Sequence, residues 1–161
     1  MTEAATGAPA LTWGVKQSFR DYVEGAGGVI ELGGGATRTP DGAFTFAAAP
    51  GGSLRRDASG RLNGRGEFQG DVRFEAHGGM LSVILADPRL QVGAEAATIT
   101  VADSRERDNR VELAVLDLAA ATPGEHGEVV IPAKLSKDGW RILGDHYLPF
   151  TPLDPVRLTL G

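Results

Sequence analysis

Glycine and proline divide this chain into short apolar segments, and that division most constrains what it can fold into. The 161 residues include 23 glycines and 9 prolines. Turns are therefore frequent and long helices are disfavoured, because both residue types interrupt regular secondary structure. Several of the short runs alternate apolar and polar residues in the way of half-buried strands. We therefore predict a mainly β fold.

The predicted architecture is an antiparallel β-sandwich or open barrel of about nine or ten strands. Residues 68–75 show the clearest alternation of apolar and polar side chains. No strand–helix–strand alternation is visible, so a parallel sheet is not expected. The polar, glycine-bearing stretch 53–66 predicts a hairpin loop. Asp87-Pro88 is predicted to break one strand, and Pro132 to end another that begins at Val129.

Two short helices are predicted within this β fold. The first begins near Trp13, with Thr12 as its N-cap, and ends at the glycines that start at Gly25. Its apolar stripe recurs at helical spacing and consists of Val15, Phe19 and Val23. The charged residues expected on the opposite, solvated face are Lys16, Arg20 and Glu24. The second helix is predicted over residues 137–143, with Ser136 as its N-cap.

The length of the chain suits one domain with a hydrophobic core. We predict a flexible N-terminal tail over residues 1–10, which are small and polar, and a single domain over residues 11–161. The N-terminus lacks the basic start and apolar core of a signal peptide. No apolar stretch approaches the ~18 residues of a membrane-spanning helix.

Composition excludes several classes of partner and site. The formal net charge is −5 and no dense basic patch is present, which argues against nucleic acid as a partner. The chain has no cysteine, and this excludes disulfides, iron–sulfur clusters and cysteine-ligated zinc.

Two segments carry the strongest functional signal. Residues 13–23, WGVKQSFRDYV, place Ser18 and Tyr22 one turn apart on one face of the first predicted helix. His77 follows a predicted strand and precedes two glycines that let the backbone turn. A phenol and an imidazole brought together by the fold could form a metalloporphyrin site, because tyrosine is a known ligand of haem iron. Taken alone, each residue also fits an ordinary structural role, in the core, at an interface or on the surface.

The pattern resembles the HtaA-type domain, the haem-binding module of actinobacterial haem-uptake proteins. Residues 13–23 match its opening, written WGVKxSFRxYV. Residues 68–81 and 153–156 resemble two later motifs of the family, and the resemblance spans residues 11–160. Residues 135–147 resemble its C-terminal stretch, although leucine and histidine replace two aromatic residues expected there.

The resemblance implies a protein that takes up ferric haem b for transport, relay or sequestration. It implies that Tyr22 is the axial ligand to the iron, that His77 hydrogen-bonds the phenolate, and that Ser18 adds a supporting hydroxyl. This makes chemical sense because Fe(III) favours phenolate and a neighbouring imidazole N–H helps to hold the negative charge. The other haem-contacting residues that we predict are Phe19, Leu143 and His146.

Two other functions stay open at this point. A haem enzyme of the peroxidase or catalase kind would need a distal acid–base group, for which His146 is the attractive candidate. A non-haem interaction module could use the same β scaffold, since fold does not determine function. The resemblance also implies another haem-uptake protein as donor or acceptor and a cell-envelope or extracellular location. A complete chain without a signal peptide would instead be cytoplasmic, and oligomerisation stays open.

Overall fold

The computed structural model describes residues 9–59, 61–94, 96–102, 110–139, 142–143 and 147–160. In this part of the chain there is one α-helix, α1, at Gln17–Gly25, and short 3₁₀ turns lie at His77–Gly79 and Leu118–Ala120. The strands, in chain order, are β1 Ala10–Trp13, β2 Val29–Gly33, β3 Thr37–Arg38, β4 Phe44–Ala48, β5 Arg55–Arg56, β6 Leu62–Asn63, β7 Arg65–Gln69, β8 Asp71–Ala76, β9 Leu81–Val92, β10 Ala96–Ala102, β11 Arg110–Asp117, β12 Thr122–Pro123, β13 Val129–Leu135 and β14 Pro152–Thr159. The mainly β prediction is confirmed.

Eight of the described strands close into an antiparallel barrel. Around the ring the order is β10, β11, β13, β14, β1, β4, β7 and β9, and β9 pairs back with β10. Closure removes the free edges that an open sheet would leave. The architecture is therefore a closed barrel rather than the predicted sandwich or open barrel.

A short extension of the sheet leaves the barrel and carries α1. The second half of β9 pairs with β7 and β10, whereas its first half pairs with β8, which in turn pairs with β2. The change of partners falls at Asp87-Pro88, where the register with β10 shifts and Asp87 has a φ of 48°. The predicted strand break is thus a bulge, at which one continuous strand of 12 residues changes partners.

One hydrophobic cluster joins the barrel, the extension and α1. Phe19 of α1 meets Phe74 of β8 edge-on with 5.0 Å between ring centroids. Phe74 in turn meets Phe44 of β4 at 5.8 Å. Tilted aromatic pairs of this kind contribute about 0.5–1.5 kcal/mol each beyond their burial. The predicted stripe of Val15, Phe19 and Val23 is buried. Val15 precedes α1, so Phe19 and Val23 set which face of α1 points to solvent.

Both predicted helices need correction. Residues Ala10–Trp13 form strand β1, because they pair with β14 on one side and β4 on the other, and α1 begins at Gln17. The second helix was predicted over 137–143, and its described residues, 137–139 and 142–143, contain no α-helix. Ser136 ties this turn to β11 through its backbone N–H and its hydroxyl. Gly139 lies so close to β11 that a Cβ there would be 2.4 Å from the Leu113 carbonyl oxygen.

Of two further turn predictions, the one at Pro132 is wrong and the one over 53–66 is confirmed in part. Pro132 does not end β13, since it is exposed at a register shift between Ile131 and Ala133 and the strand continues to Leu135. Proline is tolerated there because a bulge position needs no ladder N–H. The polar stretch 53–66 contains the small β5–β6 hairpin, as predicted, and also the start of β7.

Candidate functional site

Helix α1 presents one polar edge to solvent. Ser18 and Tyr22 lie on this edge one turn apart, and Tyr22 keeps 40% of its surface exposed. The neighbouring Phe19 and Val23 are fully buried. Since the buried stripe holds the helix in one rotation, it also directs the phenol of Tyr22 outward.

His77 lies opposite Tyr22, at the start of the 3₁₀ turn that follows β8. The Tyr22 Oη and His77 Nε2 atoms are 2.6 Å apart, and the two ring centroids are 5.6 Å apart. His77 has a φ of 56°, a left-handed conformation that is uncommon outside glycine, and it is followed by two glycines with positive φ. This turn releases the imidazole from the alternation of β8. The structure therefore brings two of the sequence-predicted site residues into direct contact.

A second polar contact on the same face joins Ser18 to Tyr147. Their hydroxyl oxygens are 3.0 Å apart. The Tyr147 ring packs edge-on against Phe19 at 6.2 Å, and Lys16 Nζ lies 5.4 Å from its centroid. We define the Tyr22 site as Ser18, Tyr22, His77 and Tyr147. Tyr147 was not among the predicted site residues. The available signal was its position at the end of the stretch 135–147.

The other predicted site residues differ in burial. Phe19 lies fully buried beneath the site, and Leu143 is fully buried in the hydrophobic cluster. His146 lies outside the described residues. The predicted haem contacts of all three, and the acid–base role of His146, stay predictions.

Exposed apolar side chains occur next to the Tyr22 site along the chain. Met80 follows the turn that begins at His77 and is 90% exposed. Leu148 follows Tyr147 and is 78% exposed. Exposed apolar surface of this kind, beside polar groups, is typical of ligand-binding and interaction sites.

A nearly buried ion pair fixes α1 against β14. Arg20 is 7% exposed, and its Nη1 donates to Asp154 Oδ2 and to the Gly14 carbonyl oxygen, both at 2.7 Å. The other carboxylate oxygen of Asp154 accepts the backbone N–H of Gln17 at 3.0 Å, which satisfies one of the free amides at the helix start. Trp13 Nε1 donates to the Asp154 carbonyl oxygen at 2.8 Å.

This network corrects the placement of Arg20, which was expected on the solvated face of the first helix. A carboxylate 134 positions away draws the guanidinium inward. Helical periodicity predicts which face of the helix a residue lies on, but it does not identify a partner that is distant in the sequence. Because α1 carries Ser18 and Tyr22, the Arg20–Asp154 pair helps to position the Tyr22 site.

Among the described residues, no helix has the length and apolar character needed to span a membrane.

Comparisons with known proteins agree with this architecture. The family model for HtaA, described as Htaa, matches residues 8–159. The crystal structure of the C-terminal domain of HtaA from Corynebacterium glutamicum is 27% identical, covers 94% of each chain and has a TM-score of 0.69. The N-terminal domain of that protein is 24% identical over 97% of this chain and 98% of its own, with a TM-score of 0.72.

The heme binding protein HtaB from the same organism has the same fold, with 19% identity, 92% and 90% coverage of this chain and its own, and a TM-score of 0.64. No match was found among curated protein sequences. Since the family model spans nearly the whole chain, this protein belongs to the HtaA family.

Proposed function

We propose that this domain binds ferric haem b, with the Tyr22 phenolate as the axial ligand to the iron. The observation that carries the proposal is the 2.6 Å contact between the half-exposed Tyr22 hydroxyl and His77 Nε2. Membership of the HtaA family supports it, as does the likeness in fold to the heme binding protein HtaB.

The donor set of the Tyr22 site fits haem. A phenolate oxygen is an anionic ligand that haem iron accepts. His77 can donate its Nε2 proton to that oxygen, which orients the ring and helps to hold the negative charge. The exposed side chains of Met80 and Leu148 supply apolar surface for a macrocycle. The iron arrives as part of the cargo, and the chain supplies the ligand, its orientation and the apolar contacts.

The role that suits this site is uptake, relay or sequestration of haem. A phenolate ligand favours the ferric state, so reduction of the iron loosens its bond to the protein. Because Tyr22 lies at the surface, the cargo can pass to another haem-uptake protein without unfolding of the barrel. A relative at 26% identity with a TM-score of 0.60, a histidine-to-alanine variant of the HtaA C-terminal domain, forms a domain-swapped dimer. That relative supports testing for dimers here.

A hemin titration of three proteins tests the proposal. The chain has only 2 tyrosines, so Tyr147→Phe is a matched control for Tyr22→Phe. We expect saturable one-to-one binding by the wild type, with a ferric tyrosinate absorption spectrum that persists in Tyr147→Phe and is lost in Tyr22→Phe. An unchanged spectrum in Tyr22→Phe would show that another residue holds the iron.

The two alternatives lack a supporting observation of this kind. A peroxidase or catalase function depends on His146, which lies outside the described residues. An interaction module that does not bind haem would show no saturable hemin binding in the same titration. Both alternatives therefore stay predictions that these experiments can separate from the proposal.

A further inference from the structure

A cleft lies on the barrel away from the Tyr22 site, and none of its described lining residues belongs to that site. Its volume is about 1110 Å³, slightly above the roughly 300–1,000 Å³ typical of pockets for small molecules. The β5–β6 hairpin, the end of β11, β13 and the segment before β14 line it. We call it the Lys134 cleft. Its main apolar side chains are Leu62, Val115, Leu118, Val129, Phe150 and Pro152.

Positive charge is concentrated around this cleft. Among the described residues, three cationic side chains line it, Arg56, Arg61 and Lys134, against one acidic side chain, Asp117. Asp117 already accepts the backbone N–H of Ala119 at 3.1 Å. The chain as a whole has a formal net charge of −5. The cleft is thus a cationic region of an anionic protein, and its charge is complementary to an anion.

These cations have little internal compensation. With other described residues, neither Arg56 nor Lys134 forms an ion pair. The Arg61 guanidinium donates to the Ala94 carbonyl oxygen, and it forms no ion pair with another residue that the structure describes. A guanidinium offers a fork of N–H donors that matches a carboxylate well.

Phe150 forms part of the apolar wall beside one of these cations. It has a φ of 67°, a strained backbone conformation for a bulky residue, and its side chain is 56% exposed. Lys134 Nζ lies 5.7 Å from the centre of its ring. Residues with strained backbone conformations cluster at active sites and ligand-binding sites. Apolar surface and positive charge are therefore adjacent in this cleft.

We propose that the Lys134 cleft binds an amphipathic carboxylate of the fatty-acid class. The acyl chain packs on the apolar wall, which includes Leu62, Val129 and Phe150. The carboxylate is held by the cations of the β5–β6 hairpin and of β13. This site is additional to the proposed haem site, and its ligand contacts none of the four residues of the Tyr22 site.

Calorimetric titration with dodecanoate, kept below its critical micelle concentration, tests this proposal. Arg55 and Arg56 are neighbours on β5, but only Arg56 lines the cleft. Arg55→Gln and Arg56→Gln therefore remove the same charge from different places. We expect saturable binding by the wild type and a Kd about tenfold higher in Arg56→Gln, because a charge-assisted hydrogen bond is lost. The Kd of Arg55→Gln should stay within about twofold of the wild type.

Two further titrations separate specific binding from charge attraction. Acetate, which has the carboxylate but no chain, should bind far more weakly than dodecanoate, since most of the binding comes from apolar burial. The affinity for hemin should be the same in Arg56→Gln and the wild type. A failure of the fatty-acid proposal can therefore be distinguished from a failure of the haem proposal. The proposal is overturned if wild-type protein shows no saturable binding of dodecanoate. It is equally overturned if both arginine variants weaken binding to the same extent.

Discussion

Removal of the Asp154 carboxylate tests how strongly α1 is anchored to the barrel. In Asp154→Ala, the Arg20 guanidinium loses its ion-pair partner and the Gln17 N–H loses its acceptor. Arg20 then keeps its hydrogen bond to the Gly14 carbonyl oxygen. Its side chain is only 8% exposed, so water cannot readily replace the carboxylate.

The size of the effect follows from this burial. Loss of one partner from a fully buried ion pair costs about 3–5 kcal/mol. The Asp154 side chain is 29% exposed, which lowers the expected cost because solvent screens the charge more effectively. Loss of a side-chain acceptor at a helix start adds about 0.5–2 kcal/mol. We expect Asp154→Ala to lower the free energy of unfolding by about 3 kcal/mol.

Urea denaturation followed by far-ultraviolet circular dichroism measures this cost. Glu24→Ala is the matched control, since it removes an acidic partner of Arg38 from the same helix, where both side chains are well exposed. That change should cost less than about 1 kcal/mol. The double variant Arg20→Met with Asp154→Ala should recover part of the stability, because no unpaired charge is left buried. A cost for Asp154→Ala no larger than that of Glu24→Ala would refute the anchoring role.

The remaining predictions concern two glycines, one acidic side chain and the proposed ligand pair. Gly28→Ala should destabilise the fold by about 1–3 kcal/mol in urea denaturation, because its Cβ would lie 2.2 Å from a backbone carbonyl oxygen of β8. Gly25→Ala, which meets nothing within 4 Å at the end of α1, should leave stability unchanged or raise it by up to about 1 kcal/mol. The Ser59 hydroxyl is the main cause that lowers the pKa of Asp57 to about 2. The contribution of the Asp57 carboxylate to hairpin stability should be complete above the unfolded pKa of 3.8 and be lost as the pH falls towards 2. NMR of the Asp57 carboxyl group as a function of pH would measure its titration. His77→Ala should weaken hemin binding about 10–100-fold while Tyr22 still ligates the iron, and equal affinity in a hemin titration would contradict the role of His77.

The strands were largely predictable because their signal is local. Alternation of apolar and polar residues over 68–75 identified the segment that became β8, and the strand predicted to begin at Val129 became β13. Closure of the barrel was not predictable in this way. It depends on β9, which changes partners at Asp87-Pro88 and pairs with β10 in its second half. A strand's pattern shows which face is buried, not which strand lies beside it.

The site was predictable only where a motif carried the signal. Resemblance to the HtaA-type domain selected Tyr22 and His77, and the structure places their polar atoms in contact. The Ser18–Tyr147 and Arg20–Asp154 contacts join residues 129 and 134 positions apart. A local sequence pattern does not show which distant residues will be in contact. The first 3₁₀ turn depends on a left-handed conformation of His77, which is uncommon for a residue other than glycine.

The central claim is that the Tyr22 phenolate ligates haem iron, and resonance Raman spectroscopy of the hemin-loaded Tyr147→Phe protein tests it most directly. In that variant Tyr22 is the one tyrosine left. If Tyr22 ligates the iron, phenolate vibrations are enhanced with the haem and shift when the protein contains ring-deuterated tyrosine. A haem-loaded protein whose spectrum lacks these vibrations, or does not respond to the label, would contradict the account.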